Sequence, residues 1–301
     1  MFRVLIFAAV NLLVVITIGI LSAVFGLHRY TMGHGIGLQG LLIMAALYGF
    51  VGSIVSLLMS KFMAKMMLGV HVIDPRNPGS QAGRDLVSAV KVLSEKAGMA
   101  SLPEIGVYDS PEVNAFATGP SESSALVAVS SGLLDKLDDR AVRGVLGHEI
   151  THIKNGDMVT MALVQGVVNT FVIFFSRILA FAIDNAMRSR DRDGKGLGFF
   201  AQFMLINLLE VALMILAMPL ICWVSRWREF RADRGSAQIG GKDAMIHALQ
   251  SLKAASKIQD HRAPALATMK INGEGGGFLA SLFRTHPPLD DRIEALRHLD
   301  R

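Results

Sequence analysis

The chain has 301 residues, enough for about two domains. Hydrophobic residues make up 51% of it and the mean hydropathy is +0.43, which excludes an ordinary soluble protein and predicts that much of the chain lies in a membrane. The net charge is +5, but the basic residues border apolar runs and do not alternate with aromatics, so we expect contact with anionic lipid and no nucleic-acid binding. The single cysteine, Cys222, excludes an intramolecular disulfide.

Two apolar runs open the chain, at residues 4–25 and 36–59. Each is long enough to cross a hydrocarbon core of about 30 Å as a helix. The first run is longer than the apolar region of a signal peptide, so we predict a retained transmembrane hairpin over residues 1–60. Lys61 and Lys65 follow it, and the positive-inside rule therefore places the next segment in the cytoplasm.

Residues 61–157 have the pattern of a soluble domain. Apolar residues at helical spacing predict a helix over 82–97, and short β-like runs follow at 104–108, 114–118 and 125–130. We then expect a helix that is capped by Asp138 or Asp139 and ended by Gly156. A small sheet followed by this helix would form the first part of an α+β catalytic domain.

The predicted helix carries His148-Glu149-Ile150-Thr151-His152. Histidines at i and i+4 lie on one face of a helix, where both can reach one metal ion. Zinc is the expected metal, because neutral imidazoles suit it and two nitrogens leave room for a third ligand and a water. Glu149 would lie beside that water and could accept its proton.

Two further apolar segments follow, at 158–183 and 199–224. We predict that they form a second apolar helical hairpin over 158–224, either spanning the membrane or packed beside the soluble domain. Arg177 is costly in a span unless it is paired, and Glu210 could offset it across an antiparallel pair. The connecting loop is rich in arginine, which disfavours the far side of the membrane.

Residues 225–301 form the second part of the predicted catalytic domain. A Trp-flanked basic edge suited to a membrane surface comes first, and it comprises Arg226, Arg228, Arg231 and Arg234. A glycine-rich loop near 273–277 and a terminal helix with Ile293, Leu296 and Leu299 on one side follow.

A catalytic zinc usually has three protein ligands, so a third one is needed. Glu229 is the preferred candidate because Asp233 lies four residues later on the same helix face and could orient a liganding imidazole. His286 is the main rival, a surface salt bridge is the structural alternative for Glu229, and Asp157 is expected to end the helix. If Glu229 and His148 share a metal, the segments between them must cross the membrane an even number of times.

Four motifs in combination resemble the HtpX family of bacterial membrane-bound metalloproteases and, more distantly, the CAAX prenyl proteases. They are Asn114-Ala115-Phe116-Ala117-Thr118-Gly119, Gly147-His148-Glu149-Ile150-Thr151-His152, Arg228-Glu229-Phe230-Arg231-Ala232-Asp233 and Thr285-His286-Pro287-Pro288. The resemblance covers essentially the whole chain.

This resemblance implies a mainly α membrane protein with an α+β zincin-like catalytic domain, in which the second apolar hairpin is inserted between the metal-ligand segments. It implies a gluzincin-type zinc endopeptidase of the bacterial inner membrane that acts in the cytoplasm, in quality control and the stress response, on misfolded or damaged membrane proteins. His148, His152 and Glu229 would bind one Zn²⁺ per chain, and Glu149 would be the general base. Asp233 would match the family's carboxylate that accepts a hydrogen bond from a liganding imidazole.

Some roles stay open at this stage. His286 is a hypothetical oxyanion donor or a structural histidine, and Asn114, Ala115 and Phe116 belong either to a substrate-pairing edge strand or to an interior strand. Two other functions remain as alternatives. One is a transporter with a polar path through Arg177, Asn207 and Glu210, and the other is a catalytically silent membrane scaffold.

Overall fold

The computed structural model describes residues 37–189, 196–255 and 284–299. The first predicted apolar run, most of the arginine-rich loop and the glycine-rich loop lie outside these described residues. In chain order, the elements are α1 (Leu38–Leu68), β1 (His71–Ile73), α2 (Gln81–Lys96), β2 (Glu104–Tyr108), β3 (Ala115–Thr118), a 3₁₀ turn (Glu122–Ser124), β4 (Leu126–Ser130), α3 (Ser131–Lys136), α4 (Asp139–Asn155), α5 (Asp157–Arg188), α6 (Phe199–Gly240), α7 (Lys242–Ala255) and α8 (Leu289–Arg297).

Three of these helices, α1, α5 and α6, are long and apolar enough to cross a membrane by length and composition. They coincide with three predicted apolar segments. The remaining predicted transmembrane helix, at residues 4–25, lies outside the described residues. The predicted fold class, a mainly α membrane protein with a small α+β catalytic domain, is confirmed.

By its contacts the chain divides into two compact units, one with residues 1–56 and 162–221 and the other with residues 57–161 and 222–301. The first unit contains the apolar parts of the long helices. Within it, Arg177 Nη1 donates a hydrogen bond of 2.8 Å to Glu210 Oε1, so the predicted offset of the two charges is found. Gly49 lies so close to α5 that a Cβ there would come within 2.6 Å of the Thr170 backbone nitrogen.

The second unit contains a four-stranded mixed sheet with the order β1-β2-β4-β3. The strands β2 and β4 are parallel, and β3 pairs antiparallel with β4, so that Phe116 lies opposite Ala128. This order leaves β3 at an edge of the sheet and not in its interior. Pairing with a substrate strand requires such an edge position. The short strand β1 at the other edge was not predicted from the sequence.

Helix α4 lies against this sheet because its apolar residues recur on one face. Val145, Leu146, Ile150 and Ile153 are buried with residues of the sheet and of α2 and α7. Asp138 caps the helix by accepting a hydrogen bond of 2.8 Å from the Ala141 N–H. Gly156 ends it with a φ of 64°, a left-handed conformation that glycine adopts without strain. Both predicted ends are confirmed.

Helix α6 runs unbroken from its apolar part into the second unit, although Pro219 lies inside it. Its last turns, within the second unit, carry Glu229 and Asp233. Helix α7 approaches α4 so closely that a Cβ on Gly144 would lie 2.6 Å from the Ala244 carbonyl oxygen. Ser236 of α6 also donates a hydrogen bond of 2.8 Å to the Gly144 carbonyl oxygen, so both α6 and α7 pack on α4, which carries the paired histidines.

Candidate metal centre

Helices α4 and α6 bring three potential ligands together. One ligand atom each of His148, His152 and Glu229 lies within 4.8 Å of the others, and all three residues are buried. The Nε2 atoms of the two histidines are 3.0 Å apart, and each lies 3.3 Å from an oxygen of Glu229. The structure thus unites residues that are up to 81 positions apart in the sequence, and we call His148, His152 and Glu229 the ligand triad.

The ligand triad fits a metal ion. Bonds of about 2.0–2.1 Å in tetrahedral geometry separate ligand atoms by about 3.3 Å, close to the distances found here. Among the described residues, neither buried carboxylate oxygen of Glu229 has a partner with hydrogen-bond geometry, although imidazole nitrogens lie 2.9–3.3 Å away. Carboxylate oxygens left in this way suit a cation between them and the two histidines. Two imidazoles and one carboxylate are a donor set that zinc accepts, so the residues present suit this metal.

His148 is oriented from behind by Asp233, as the sequence predicts for a carboxylate in this position. The Nδ1 atom of His148 lies 2.9 Å from Asp233 Oδ1, and Asp233 is buried. A proton on Nδ1 that is donated to this carboxylate leaves the Nε2 lone pair free to face the ligand triad.

Arg292 of α8 completes this arrangement and was missed by the sequence analysis. Its Nε and Nη2 atoms donate hydrogen bonds of 2.7 and 2.6 Å to the two oxygens of Asp233. Nη2 also lies 3.3 Å from His148 Nδ1, because both groups converge on the same carboxylate oxygen. The sequence did hold a signal, since Arg292 lies on the apolar face of the terminal helix beside Ile293 and Leu296.

His152 has its own carboxylate, Asp157. The Nδ1 atom of His152 donates to Asp157 Oδ2 at 2.6 Å, and Asp157 is completely buried at the start of α5. The expectation that Asp157 only ends the metal-binding helix is therefore incomplete. Its carboxylate does not join the ligand triad, but the tight turn at Gly156 directs it back to the ring of His152.

Two other predicted residues lie next to the ligand triad. Glu149 is buried on α4 between the two histidines in sequence. His286 comes from the segment before α8, and its Nδ1 atom lies 2.9 Å from Glu229 Oε2, although the contact does not have the angles of a hydrogen bond. His286 is thus close to the site without belonging to the ligand triad.

The charges of this site are strongly coupled. Burial opposes ionisation of Glu229, but the attraction of His286, His152 and His148 outweighs it and holds the pKa of this carboxyl well below its usual range. Burial also disfavours the charged form of His152, yet Glu229 and the hydrogen bond to Asp157 raise its pKa to about 9. In the metal-free protein, the positive charge of protonated His152 therefore offsets the negative charge of Glu229.

The edge strand β3 packs on α4, and the side chains of Ala115 and Phe116 are buried in the core. Phe116 is buried with Tyr108, and Ala115 lies in the main core. Since the Asn114 carbonyl accepts a hydrogen bond from the Ser130 N–H, the alternation of an antiparallel pair turns the N–H groups of Ala115 and Ala117 away from β4. The strand can therefore offer backbone groups, but not apolar side chains, to an extended peptide.

A solved structure has a similar fold. Ste24p from S. mikatae superposes with a TM-score of 0.65 at 20% sequence identity, and the match covers 98% of this chain and 65% of that one. Such a likeness concerns the fold alone. On this fold His148, His152 and Glu229 form a cluster that could hold a metal ion, and the match of residues 80–300 to Peptidase family M48 defines the class as a membrane-associated metalloprotease.

The family follows from sequence comparisons. Residues 80–300 match Peptidase family M48. The chain is 48% identical over 302 residues to a Protease HtpX homolog of Methylacidiphilum infernorum, with 99% of this chain and 98% of the relative covered. It is 47% identical to a Protease HtpX homolog of Bacillus subtilis, with 98% of each covered. The chain belongs to peptidase family M48 and to its HtpX branch, as the motifs predicted.

Proposed function

We propose that this metalloprotease is a zinc-dependent endopeptidase that cuts membrane proteins on the cytoplasmic side of the bacterial inner membrane in protein quality control. The observation that carries the proposal is the convergence of Glu229 with His148 and His152, the two histidines that flank Glu149 on α4. Three buried protein ligands leave a fourth position open, which is the arrangement of a catalytic zinc and not of a structural one.

Each residue has a distinct role in this proposal. His148, His152 and Glu229 would hold the zinc, which would supply Lewis acidity for the scissile carbonyl and for water. Glu149 accepts the proton of the attacking water and passes it to the leaving amine. Asp233 keeps the Nδ1 proton on His148, so that Nε2 remains a ligand.

His286 is a donor for the oxyanion that forms as water attacks the peptide. Its Nδ1 atom already lies 2.9 Å from the carboxylate of Glu229, which supports a position at the rim of the metal site. An imidazole N–H at that rim can stabilise negative charge that develops in the transition state. Replacement of His286 by Ala should then lower kcat with little loss of zinc.

The substrate is an extended protein segment that pairs with the outer edge of β3. The outward N–H groups of Ala115 and Ala117 support such pairing, which gives affinity without a demand for particular side chains. Weak side-chain selection suits a protease that removes varied misfolded or damaged membrane proteins, and the apolar helices keep the enzyme where those substrates are.

The cytoplasmic location is supported by charge. Lys61 and Lys65 lie at the end of α1, where the chain leaves its apolar segment and enters the catalytic unit. Helices α5 and α6 together make an even number of potential crossings between His152 and Glu229. Both halves of the ligand triad are then on one side of the bilayer.

The test is cleavage of a membrane-protein substrate by the full-length protein with zinc restored, using wild type, Glu149→Ala and Glu229→Ala side by side. Wild type should bind about one zinc and cut the substrate, Glu149→Ala should retain the metal and cut nothing, and Glu229→Ala should lose metal affinity. Equal cleavage by wild type and Glu149→Ala would exclude the mechanism. Normal complementation in cells by Glu149→Ala would instead support a scaffold.

A further inference from the structure

Asp157 is an unusual first residue for an apolar helix, because it is completely buried and shared by two partners. One carboxylate oxygen accepts the hydrogen bond of 2.6 Å from His152 Nδ1. The other pairs with Arg231 Nη2. A single carboxylate thus connects a residue of the ligand triad to a basic residue of α6.

We propose that Asp157 and Arg231 form a positioning pair, in which Arg231 fixes Asp157 and Asp157 fixes the Nδ1 tautomer and ring orientation of His152 for metal binding. This inference rests on the proposed role of His152 as a zinc ligand. Neither Asp157 nor Arg231 touches the metal position or the substrate in this scheme. Both act only through His152.

The surroundings of Arg231 hold its guanidinium at Asp157, although 36% of the side chain is exposed. Its guanidinium carbon lies 4.8 Å from the ring centre of Trp227, and Nη2 lies 3.5 Å from the Asn155 carbonyl oxygen. Arg228 approaches the same turn, with Nη1 3.3 Å from the carbonyl oxygen of Asp157. Two members of the predicted basic edge are therefore turned towards the junction of α4 and α5.

The chemistry of imidazole explains why such a pair matters. A neutral ring has one proton, and only the tautomer with the proton on Nδ1 offers the Nε2 lone pair to a metal. A carboxylate behind Nδ1 selects that tautomer and makes the ligand more basic. The guanidinium of Arg231, which lies over the Trp227 ring, keeps a charged donor on Oδ1 of Asp157. The flexible ammonium of a lysine would hold that position less firmly.

The two histidines consequently have parallel support. His148 is backed by Asp233 and Arg292, and His152 is backed by Asp157 and Arg231. Removal of either carboxylate should weaken metal binding while the ligand triad stays chemically intact.

The experiment measures Zn²⁺ affinity of the full-length protein in detergent by competition with a chromophoric chelator, together with the visible spectrum of the Co²⁺-loaded protein. Asp157→Asn should bind Zn²⁺ about 10–100-fold more weakly and should alter the Co²⁺ spectrum, because the neutral amide no longer enforces one tautomer. Asp243→Asn is the matched control, since Asp243 is exposed and its described partner is Arg140 in the first turn of α4, eight residues before His148. It should behave as wild type.

Arg231→Gln tests the second half of the pair and leaves Asp157 in place. It should weaken Zn²⁺ binding less than Asp157→Asn does, Arg231→Lys should recover only part of the loss, and the double variant should be no weaker than Asp157→Asn alone. Such non-additivity is expected if Arg231 acts through Asp157. A double variant whose loss equals the product of the two single losses would overturn the pairing.

The outcomes separate this inference from the proposed function. Wild type that binds and uses zinc, with Asp157→Asn unchanged in Zn²⁺ affinity and Co²⁺ spectrum, would overturn the inference alone. If Asp157→Asn loses its helical circular dichroism, Arg231→Gln decides, and unchanged affinity in that variant would also overturn it. Wild type that binds no metal would overturn both.

Discussion

Arg292 forms a two-pronged ion pair with Asp233, through hydrogen bonds of 2.7 Å from Nε and 2.6 Å from Nη2, and both side chains are almost completely buried. The pair links the terminal helix α8 to α6, and the same carboxylate of Asp233 faces His148. The last helix of the chain therefore takes part in the architecture of the metal centre.

Arg292→Ala should destabilise the folded protein by about 3–5 kcal/mol, because it leaves Asp233 buried without its cation. Arg292→Lys keeps the charge but loses the paired geometry, so its loss should be smaller. Thermal unfolding in detergent, followed by tryptophan fluorescence, would measure both. Arg297→Ala on the outer part of the same helix is the control, and a similar shift in that variant would contradict the prediction.

Zinc affinity should increase with pH up to about 9. The pKa of His152 is raised from 6.5 to about 9 in the metal-free protein, and zinc must displace that proton. The same shift means that His152 stabilises the metal-free fold below pH 6.5 and that this contribution is lost as the pH rises through about 9. Metal titrations and unfolding of metal-free protein at pH 6–10 would measure the two trends, which have opposite signs.

The ion pair of Arg177 with Glu210 should govern assembly of the apolar unit. Arg177→Leu alone or Glu210→Leu alone leaves one charge unpaired in a segment that is apolar enough to span a membrane, which costs about 2.5–3.5 kcal/mol on insertion scales. The double substitution removes both charges and should restore accumulation of full-length protein in the membrane fraction. A double variant that accumulates no better than the single ones would contradict this account.

Proline at Ala117 should impair substrate pairing without loss of the fold. The Ala117 N–H is directed away from β4, so proline removes an outward donor and keeps the ladder intact. We expect a higher KM and little change in thermal stability. Phe116→Pro is the matched contrast, since the Phe116 N–H belongs to the ladder with Ala128 and its loss should destabilise the sheet.

Local features of the chain could be predicted because they depend on neighbours in sequence. The i and i+4 spacing of His148 and His152 needs only a helix, and Asp138 and Gly156 mark its ends through a cap and a left-handed turn. The apolar runs identify α1, α5 and α6 by length alone. Glu229 and Asp233 were preferred because they lie four residues apart on one helix face, and the family motifs strengthened that choice. The structure brings both to the histidines.

What the sequence alone could not determine is which distant charges are buried together. Arginine is expected at a surface, so nothing local shows that Arg292 lies against Asp233 or that Arg231 lies against Asp157. These pairs form only when α8 and α6 pack on α4 and exclude water, which makes a partner for each charge obligatory. The sequence determined the helix that carries the two histidines and pointed to Glu229 and Asp233. Only the tertiary structure decided that Asp157 lies behind His152 and that Arg231 and Arg292 pair with the two supporting carboxylates.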